Sequence, residues 1–233
     1  MLKKSVVAMA VVLLAACIAG PAAADVVCAD SSYCEVVFNR TYDGPGAQFS
    51  GQPYDYLTVA PDGSGETFTN IDGLNQGDGL LDVEVRVYLR NCNGDPLIGV
   101  PAQQVNLFSN ALCICPGGAD SDLGTDANGC ATFTGTLNAG GCASSIDVYA
   151  DGIFICTLMD GGARTVKVNS TDQAHLLASP CFTDASDLAG FASVFTDPAS
   201  DPGNVCFDYN EQGASIDASD LAGFASALGA ACQ

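Results

Sequence analysis

The residue pattern richest in chemistry lies near the C-terminus, at 208–220. Calcium loops place side-chain oxygens at alternating positions, a glycine at position six for a tight turn, and a closing carboxylate from the helix that follows. Gly213 fits position six. Oxygen-bearing side chains fit positions one, three, five, nine and twelve, and we predict them to be the metal ligands: Asp208, Asn210, Gln212, Asp217 and Asp220.

This loop departs from the usual pattern in two ways. Ala214 and Ser215 stand where one residue is usual, and the uncharged Gln212 occupies position five. Both differences lower calcium affinity, because the charge and rigidity of the site set it. Upstream, Asp172 fits position one of an earlier loop, but no glycine turn precedes Phe182. A second interpretation therefore stays open, in which four aspartates act only as helix caps: Asp184, Asp187, Asp217 and Asp220.

The loop precedes the second of two copies of one segment. Residues 184–193 and 217–226 are identical over ten consecutive positions, at an offset of 33. Each copy places apolar residues at i, i+3, i+4 and i+7, which is one face of a helix. These residues are Leu188, Phe191, Ala192 and Phe195 in the first copy, and Leu221, Phe224, Ala225 and Leu228 in the second. One short helix cannot bury such a face alone, so we predict a packed helical pair.

Two halves that each contain Asp-Leu-x-x-Phe resemble the type I dockerin module over about 170–233. The resemblance implies calcium as the cofactor and a cohesin-like or other extracellular protein as the partner. Dockerins contact cohesin largely through the residues that open each helix. The matching residues here are Ala185 and Ser186 in the first copy, and Ala218 and Ser219 in the second.

Upstream of the repeats, the sequence has the pattern of short strands. Residues 81–90 alternate, with Val83, Val85 and Val87 on one face, which is typical of a half-buried strand. Further strand segments are predicted at 34–39, 54–59, 104–108, 131–136, 146–149, 153–158 and 165–168. Turn residues such as Asn128-Gly129 separate them. Short strands with this spacing predict a mostly β protein with an antiparallel β-sandwich over 25–169.

Three segments of this region resemble bacterial invasin-type Ig-like domains. They are NGDPLIGV at 93–100, VNLF at 105–108 and TDANGCATF at 125–133, and the match spans about 80–160. The resemblance implies an Ig-like β-sandwich that acts as a spacer or adhesin stalk, without a shared catalytic site. The predicted architecture is therefore an antiparallel Ig-like β-sandwich followed by a small two-helix dockerin-like module at 170–233.

Residues 1–24 have the pattern of a secretory signal. Lys3 and Lys4 precede an apolar stretch that is too short to span a bilayer, and Ala22-Ala23-Ala24 ends the segment. The sequence Leu14-Ala15-Ala16-Cys17 also resembles a bacterial lipobox, so a lipoprotein anchored at Cys17 is the alternative. We expect a secreted or cell-surface bacterial protein without a transmembrane segment.

Charge and composition argue against several classes of function. The chain carries 27 Asp and Glu against seven Lys and Arg, a net charge of −20. Such a surface repels phosphate backbones and anionic lipids, so we expect no nucleic-acid partner. The single histidine, His175, argues against histidine-based catalysis. We predict a non-enzymatic binding or structural protein.

Eleven cysteines follow Cys17, and none belongs to a Cys-x-x-Cys pair. In an exported chain this pattern favours structural disulfides, with one thiol left over. Neighbours in sequence predict Cys28–Cys34 and Cys142–Cys156 as local pairs. The alternative function is a metal-free structural surface or matrix protein, stalk-like or adhesin-like, whose helical pair is held by disulfides such as Cys181–Cys206.

Overall fold

The computed structural model describes residues 26–39, 41–42, 52–53, 56–68, 83–161, 164–173, 181–195, 204–207, 209, 216 and 218–233. The predicted signal at 1–24, with Cys17, lies outside these residues. Within them the chain is mostly β, with twelve strands and two α-helices.

The strands are β1 Tyr33–Phe38, β2 Thr41–Tyr42, β3 Gln52–Pro53, β4 Tyr56–Val59, β5 Val83–Tyr88, β6 Val105–Phe108, β7 Leu112–Ile114, β8 Cys130–Phe133, β9 Ala139–Gly141, β10 Asp147–Ala150, β11 Ile153–Thr157 and β12 Lys167–Ser170. The helices are α1 Ala185–Phe195 and α2 Ala218–Ala227, and short 3-10 turns span Ala102–Gln104 and Asn204–Phe207.

We define residues 26–170 as the β region, and its described residues form two three-stranded sheets and three strand pairs. The first sheet has the order β1-β5-β8 and the second the order β11-β10-β6, and the pairs are β12-β4, β2-β3 and β7-β9. All pairings between the described strands are antiparallel except β12 with β4, which is parallel. The expectation of a wholly antiparallel arrangement is therefore wrong for this pair.

The central strand β5 confirms the predicted alternation. Val83, Val85 and Val87 are at most 2% exposed, whereas Arg86 faces solvent. Val36 of β1 and Phe133 of β8 lie directly opposite Val85, on its two sides. Because opposed residues share a face, these three side chains belong to one apolar layer. The inner residues of the second sheet join the same hydrophobic core.

The eight predicted strand segments all overlap observed strands, with ends that differ by a few residues. Four observed strands were not predicted: β2, β3, β7 and β9. The sequences of β7 (LCI) and β9 (AGG) are too short and too rich in cysteine and glycine to show an alternating pattern. They pair because the sheet context, rather than propensity, places them side by side.

The two loops of the invasin-like motif are hydrogen-bonded to each other. Thr125 Oγ1 accepts the backbone N–H of Val100 at 2.9 Å and donates to the carbonyl of Leu97 at 2.5 Å. Asp126 Oδ1 accepts the backbone N–H groups of Asn128 and Cys130 at 2.8 and 2.9 Å, which closes the hairpin between them. These contacts explain why threonine and aspartate occupy adjacent positions in the motif.

Five disulfides connect the described cysteines, and the predicted local pairs are wrong. The observed bonds are Cys28–Cys92, Cys34–Cys156, Cys113–Cys181, Cys115–Cys232 and Cys142–Cys206. Cys28–Cys34, Cys142–Cys156 and Cys181–Cys206 do not form because strand pairing brings more distant cysteines within bonding range. We predicted one unpaired thiol, and among the described residues this is Cys130. Five disulfides indicate folding in an oxidising compartment.

Three of these disulfides attach the C-terminal segment to the β region. Their anchors in the β region, Cys113, Cys115 and Cys142, lie on or directly after the paired strands β7 and β9. Thr183 and Ala230 are also joined by a backbone hydrogen bond of 2.9 Å, which brings the start and end of the helical segment together. The helical segment is thus fixed to one edge of the β region by covalent bonds.

Candidate functional site

The first turn of α1 is closed by two aspartates. Asp184 Oδ1 accepts hydrogen bonds from the backbone N–H and the hydroxyl of Ser186, at 2.6 and 2.5 Å. Asp187 Oδ2 in turn accepts the backbone N–H of Asp184 at 2.8 Å. This reciprocal arrangement is a capping box, and the Ser186 hydroxyl in particular holds the pKa of Asp184 below its ordinary value. The predicted capping roles are therefore confirmed in the first copy, whereas Asp217 lies outside the described residues.

The aspartate at the third position of each helix also binds the segment before it. Asp187 Oδ1 accepts the backbone N–H of Gln173 at 2.8 Å, and Asp220 Oδ1 accepts the backbone N–H of Tyr209 at 2.8 Å. The donor lies 14 residues upstream in the first copy and 11 in the second. In both copies an aspartate directly precedes the donor residue. Each helix therefore makes the same contact with a residue upstream of it.

Three buried carboxylates lie close enough to Tyr209 to influence its pKa. Asp172, Asp187 and Asp220 are 2%, 1% and 0% exposed, and Tyr209 is 6% exposed. Burial raises the pKa of Tyr209 well above its ordinary value, and the charges of the three aspartates add to this, with the nearby Gln173 side chain opposing it. Its hydroxyl has no hydrogen-bond partner at normal distance among the described residues. Burying several carboxylates in one place costs free energy unless hydrogen bonds or a cation compensate.

An aromatic cluster joins the two copies. The rings of Phe191 and Phe224 lie 6.0 Å apart at an interplanar angle of 28°, and Phe191 also stacks on Tyr209 at 6.1 Å and 15°. Both phenylalanines are 1% exposed. The predicted packing of the two copies against each other is therefore present at its central residue.

The predicted burial of the other residues on the apolar face is wrong. Leu188 and Phe195 are each 39% exposed, and Leu221 and Leu228 are 38% and 55% exposed; Ala192 and Ala225 also face solvent. The buried stripe instead runs through the aspartate and the phenylalanine four residues later, which lie on the same side of a helix. The side of each helix that carries the aspartate faces inward, because the aspartate accepts the backbone N–H of Gln173 or Tyr209.

The predicted ligands are only partly described. Asp220 is buried and bound to Tyr209, as above, whereas Asp208, Asn210, Gln212 and Asp217 lie outside the described residues. The four residues predicted to contact a partner are exposed on the first turns of the two helices: Ala185, Ser186, Ala218 and Ser219. Leu188 and Leu221 extend this surface by one turn. Each helix therefore presents small and apolar side chains to solvent.

The contact between Gln173 and Asp187 was not predicted from the sequence, although the neighbouring Asp172 was singled out. Asp172 was identified as a first loop position, but the role of Gln173 as the donor to Asp187 was not. Gln173 lies 14 residues before Asp187, whereas Tyr209 lies 11 residues before Asp220. The offset of 33 that aligns the two helices therefore does not align these two donor residues. An upstream search for an aspartate before each helix, with variable spacing, would have found it.

A group of three cysteine sulfurs lies elsewhere in the described residues. The Sγ atoms of Cys115, Cys181 and Cys232 are all within 4.8 Å of one another. Each of these sulfurs belongs to a disulfide: Cys181 is bonded to Cys113, and Cys115 is bonded to Cys232. Because metal binding requires thiolates, this group is a pair of adjacent disulfides rather than a metal site.

Comparison of the chain with family models, with curated proteins and with solved structures gives no match. The resemblances to dockerin and to invasin-type domains rest on the sequence motifs and stay predictions. No helix among the described residues is long and apolar enough to cross a membrane.

Proposed function

We propose that this chain is a secreted, non-enzymatic binding protein, in which an Ig-like β-sandwich carries a dockerin-like helical pair. The helical pair binds calcium through the loop before α2 and docks to an extracellular protein partner. The observation that carries this proposal is the repeated contact of Asp187 with Gln173 and of Asp220 with Tyr209. A carboxylate from each helix that binds the chain just after the first loop position, in both copies, fits a tandem calcium-loop module.

The chemistry of the described residues fits calcium. Asp220, at ligand position twelve, is a fully buried carboxylate, and two further buried aspartates lie around the same tyrosine. The Asp220 carboxylate already holds the loop segment through the Tyr209 N–H, so it lies where the closing ligand of such a loop belongs. Calcium prefers such oxygens, and its charge would offset the burial of the aspartates. Asp208, Asn210 and Gln212 would supply the remaining side-chain oxygens of the loop.

Docking is supported by what the helices leave exposed. Leu188 and Leu221 are more than a third exposed and stand one turn from the small residues that open each helix. Since a small, apolar and uncharged surface is readily desolvated, it suits contact with another protein. The two copies present equivalent surfaces, so the partner can bind at either copy.

The experiment is a pair of thermal unfolding curves of the mature protein with its disulfides intact, one in calcium and one in chelator. Ligand at about 100 times Kd adds about 2.7 kcal/mol of stability, which raises Tm by about 5–10 °C in a chain of this size. The Asp208→Ala variant should lose this rise. Asp151→Ala, which removes a carboxylate from a turn of the β region, is the matched control and should keep it.

A second function is favoured by the three disulfides between the helical segment and strands β7 and β9. Together with the capping box of Asp184 and Asp187, they provide a way to hold the helices without metal. In that case the protein is a metal-free structural component of a surface or matrix. Identical Tm values in calcium and in chelator would support it over the calcium-binding module.

A further inference from the structure

Three aromatic rings form a row across the outer face of the second sheet. Phe108 of β6, Tyr149 of β10 and Phe154 of β11 contact one another edge to face, with ring centroids 5.7 and 5.8 Å apart. Phe108 is 41% and Phe154 46% exposed. The other face of the same three strands is buried in the core. The row therefore lies on solvent-facing positions of a sheet that is fully packed on its inner side.

A β-bulge places the third ring in this row. Asp147 lies opposite Thr157, but beyond the bulge the register shifts so that Tyr149 lies opposite Phe154. Without the shift, Phe154 would lie opposite Ala150, which is buried. Opposed residues share a face, so an unbulged strand would turn the Phe154 ring toward the core. Bulges re-aim side chains in this way, often beside binding sites.

The row continues into an open groove of about 350 Å³. Phe108 forms one wall, Leu112 and Ile114 line the groove, and the side chains of Asn106 and Asp120 stand at its polar side. Asn106 and Asp120 are opposite each other in an antiparallel bridge, so they share the outer face with Phe108. A groove of this volume with an aromatic wall and few polar groups has the properties of a ligand site.

The charges around the row and groove restrict what can bind. Strands β6, β10 and β11 contain no lysine or arginine, and none of the described residues that line the groove is basic. The polar groups beside the rings are an amide, two carboxylates and a hydroxyl: Asn106, Asp120, Asp147 and Thr157. With a net charge of −20 on the whole chain, anionic ligands are repelled. An anionic ligand is therefore disfavoured, and the amide, carboxylate and hydroxyl oxygens suit a neutral ligand rich in hydrogen-bond donors.

We propose that this face, the row of Phe108, Tyr149 and Phe154 with its groove, binds a neutral polysaccharide. A pyranose ring presents a flat side of C–H groups and an edge of hydroxyls. The C–H side stacks on the electron-rich faces of aromatic rings, and hydroxyls donate to carboxylate and amide oxygens in strong hydrogen bonds. This site lies on the β region and does not depend on the helical pair or on calcium.

The test is affinity electrophoresis of the mature protein in chelator, through gels that contain xylan, mannan, hydroxyethyl cellulose or starch, and through a gel that contains polygalacturonate. At least one neutral polymer should retard the protein, and the polyanion should not. The double variant Phe108→Leu/Phe154→Leu should bind about tenfold more weakly or worse, which corresponds to a loss of about 1.4 kcal/mol or more of binding free energy. Phe154→Tyr keeps the ring and should bind like the wild type.

The control variant is Leu123→Ala, which removes an apolar side chain that is 75% exposed and belongs neither to the row nor to the groove lining. It should leave the retardation unchanged, and equal Tm values would show that all variants are folded. The proposal is overturned if no neutral polymer retards the wild type, if the double variant binds as tightly as the wild type, or if polygalacturonate retards it equally. Because the gels contain chelator, none of these outcomes depends on the calcium loop.

Discussion

Asp220 Oδ1 accepts the backbone N–H of Tyr209 at 2.8 Å, and both residues are buried. The bond ties the start of α2 to the segment that contains the predicted ligands Asp208 and Asn210. The corresponding bond in the first copy joins Asp187 to Gln173. The same hydrogen-bond pattern therefore occurs in both copies of the helical pair.

Substitution of Asp220 separates its hydrogen bond from its charge. Asp220→Ala leaves the N–H of Tyr209 buried without an acceptor, which costs about 1–3 kcal/mol. Asp220→Asn keeps an oxygen acceptor but removes the charge that calcium needs. Urea unfolding in chelator should therefore rank the wild type and Asp220→Asn above Asp220→Ala, while both variants lose the calcium response. Equal destabilisation by the two variants in chelator would show that the hydrogen bond is not the stabilising contact.

Alkaline pH should destabilise the helical pair through Tyr209. Burial raises the pKa of this phenol above the ordinary value of 10.0, so the unfolded chain loses the proton first. The stability that this group contributes is complete below pH 10.0 and falls as the pH rises above it. The free energy of unfolding of Tyr209→Phe should fall less steeply with pH than that of the wild type, as measured by urea titration. Parallel pH profiles would contradict the burial of an ionisable group at this position.

Cys130 should be a slow-reacting thiol. Burial raises the pKa of Cys130 above its ordinary value, and the negative charge of Asp126 adds to the shift. Because the thiolate is the reactive form, alkylation of the native protein near pH 7 should be much slower than in urea. Asp126→Asn removes one cause of the shift and should speed alkylation. Rapid labelling of the native thiol, as followed by mass spectrometry, would be the opposite result.

Gly129 should be the most sensitive glycine of the invasin-like motif. It has a φ of +72°, and a Cβ added there would lie 2.6 Å from the carbonyl oxygen of Leu89. Gly94 is the matched control, since its φ is +87° but no atom lies within 4 Å of its added Cβ. Gly94→Ala should cost about 1–2 kcal/mol for the left-handed backbone alone, and Gly129→Ala should cost more. Equal losses in urea unfolding would mean that the loop moves to accommodate the methyl group.

Strands with an alternating pattern could be predicted from the sequence, whereas connections between distant segments could not. β5 shows its inward valines in the sequence itself, because a strand with one buried face has a period of two. The partner of Cys34 is Cys156, 122 residues away, and this follows only from how β1 and β11 pack. Sequence spacing carries no information about such a contact.

The candidate site was predictable to a similar degree. The duplicated Asp-Leu-x-x-Phe pattern gave the two helices and their capping residues, since caps are local features of the chain. The burial of Asp187 and Asp220 was not expected, because aspartate is rarely buried without a partner. The partner of each aspartate is a backbone N–H that lies 14 residues upstream of Asp187 and 11 residues upstream of Asp220. A helical wheel shows only residues of the helix itself, so it does not reveal this contact.

Terbium luminescence tests the calcium proposal most directly. Terbium is a hard cation that takes the oxygen ligands calcium takes, and tyrosine excites it at short range. The chain has no tryptophan, and Tyr209 directly follows the predicted ligand Asp208. We predict emission that saturates on titration, is displaced by calcium, and is lost in Tyr209→Phe while Asp220→Asn weakens binding. No emission, or emission unchanged in both variants, would contradict a calcium site in the loop before α2.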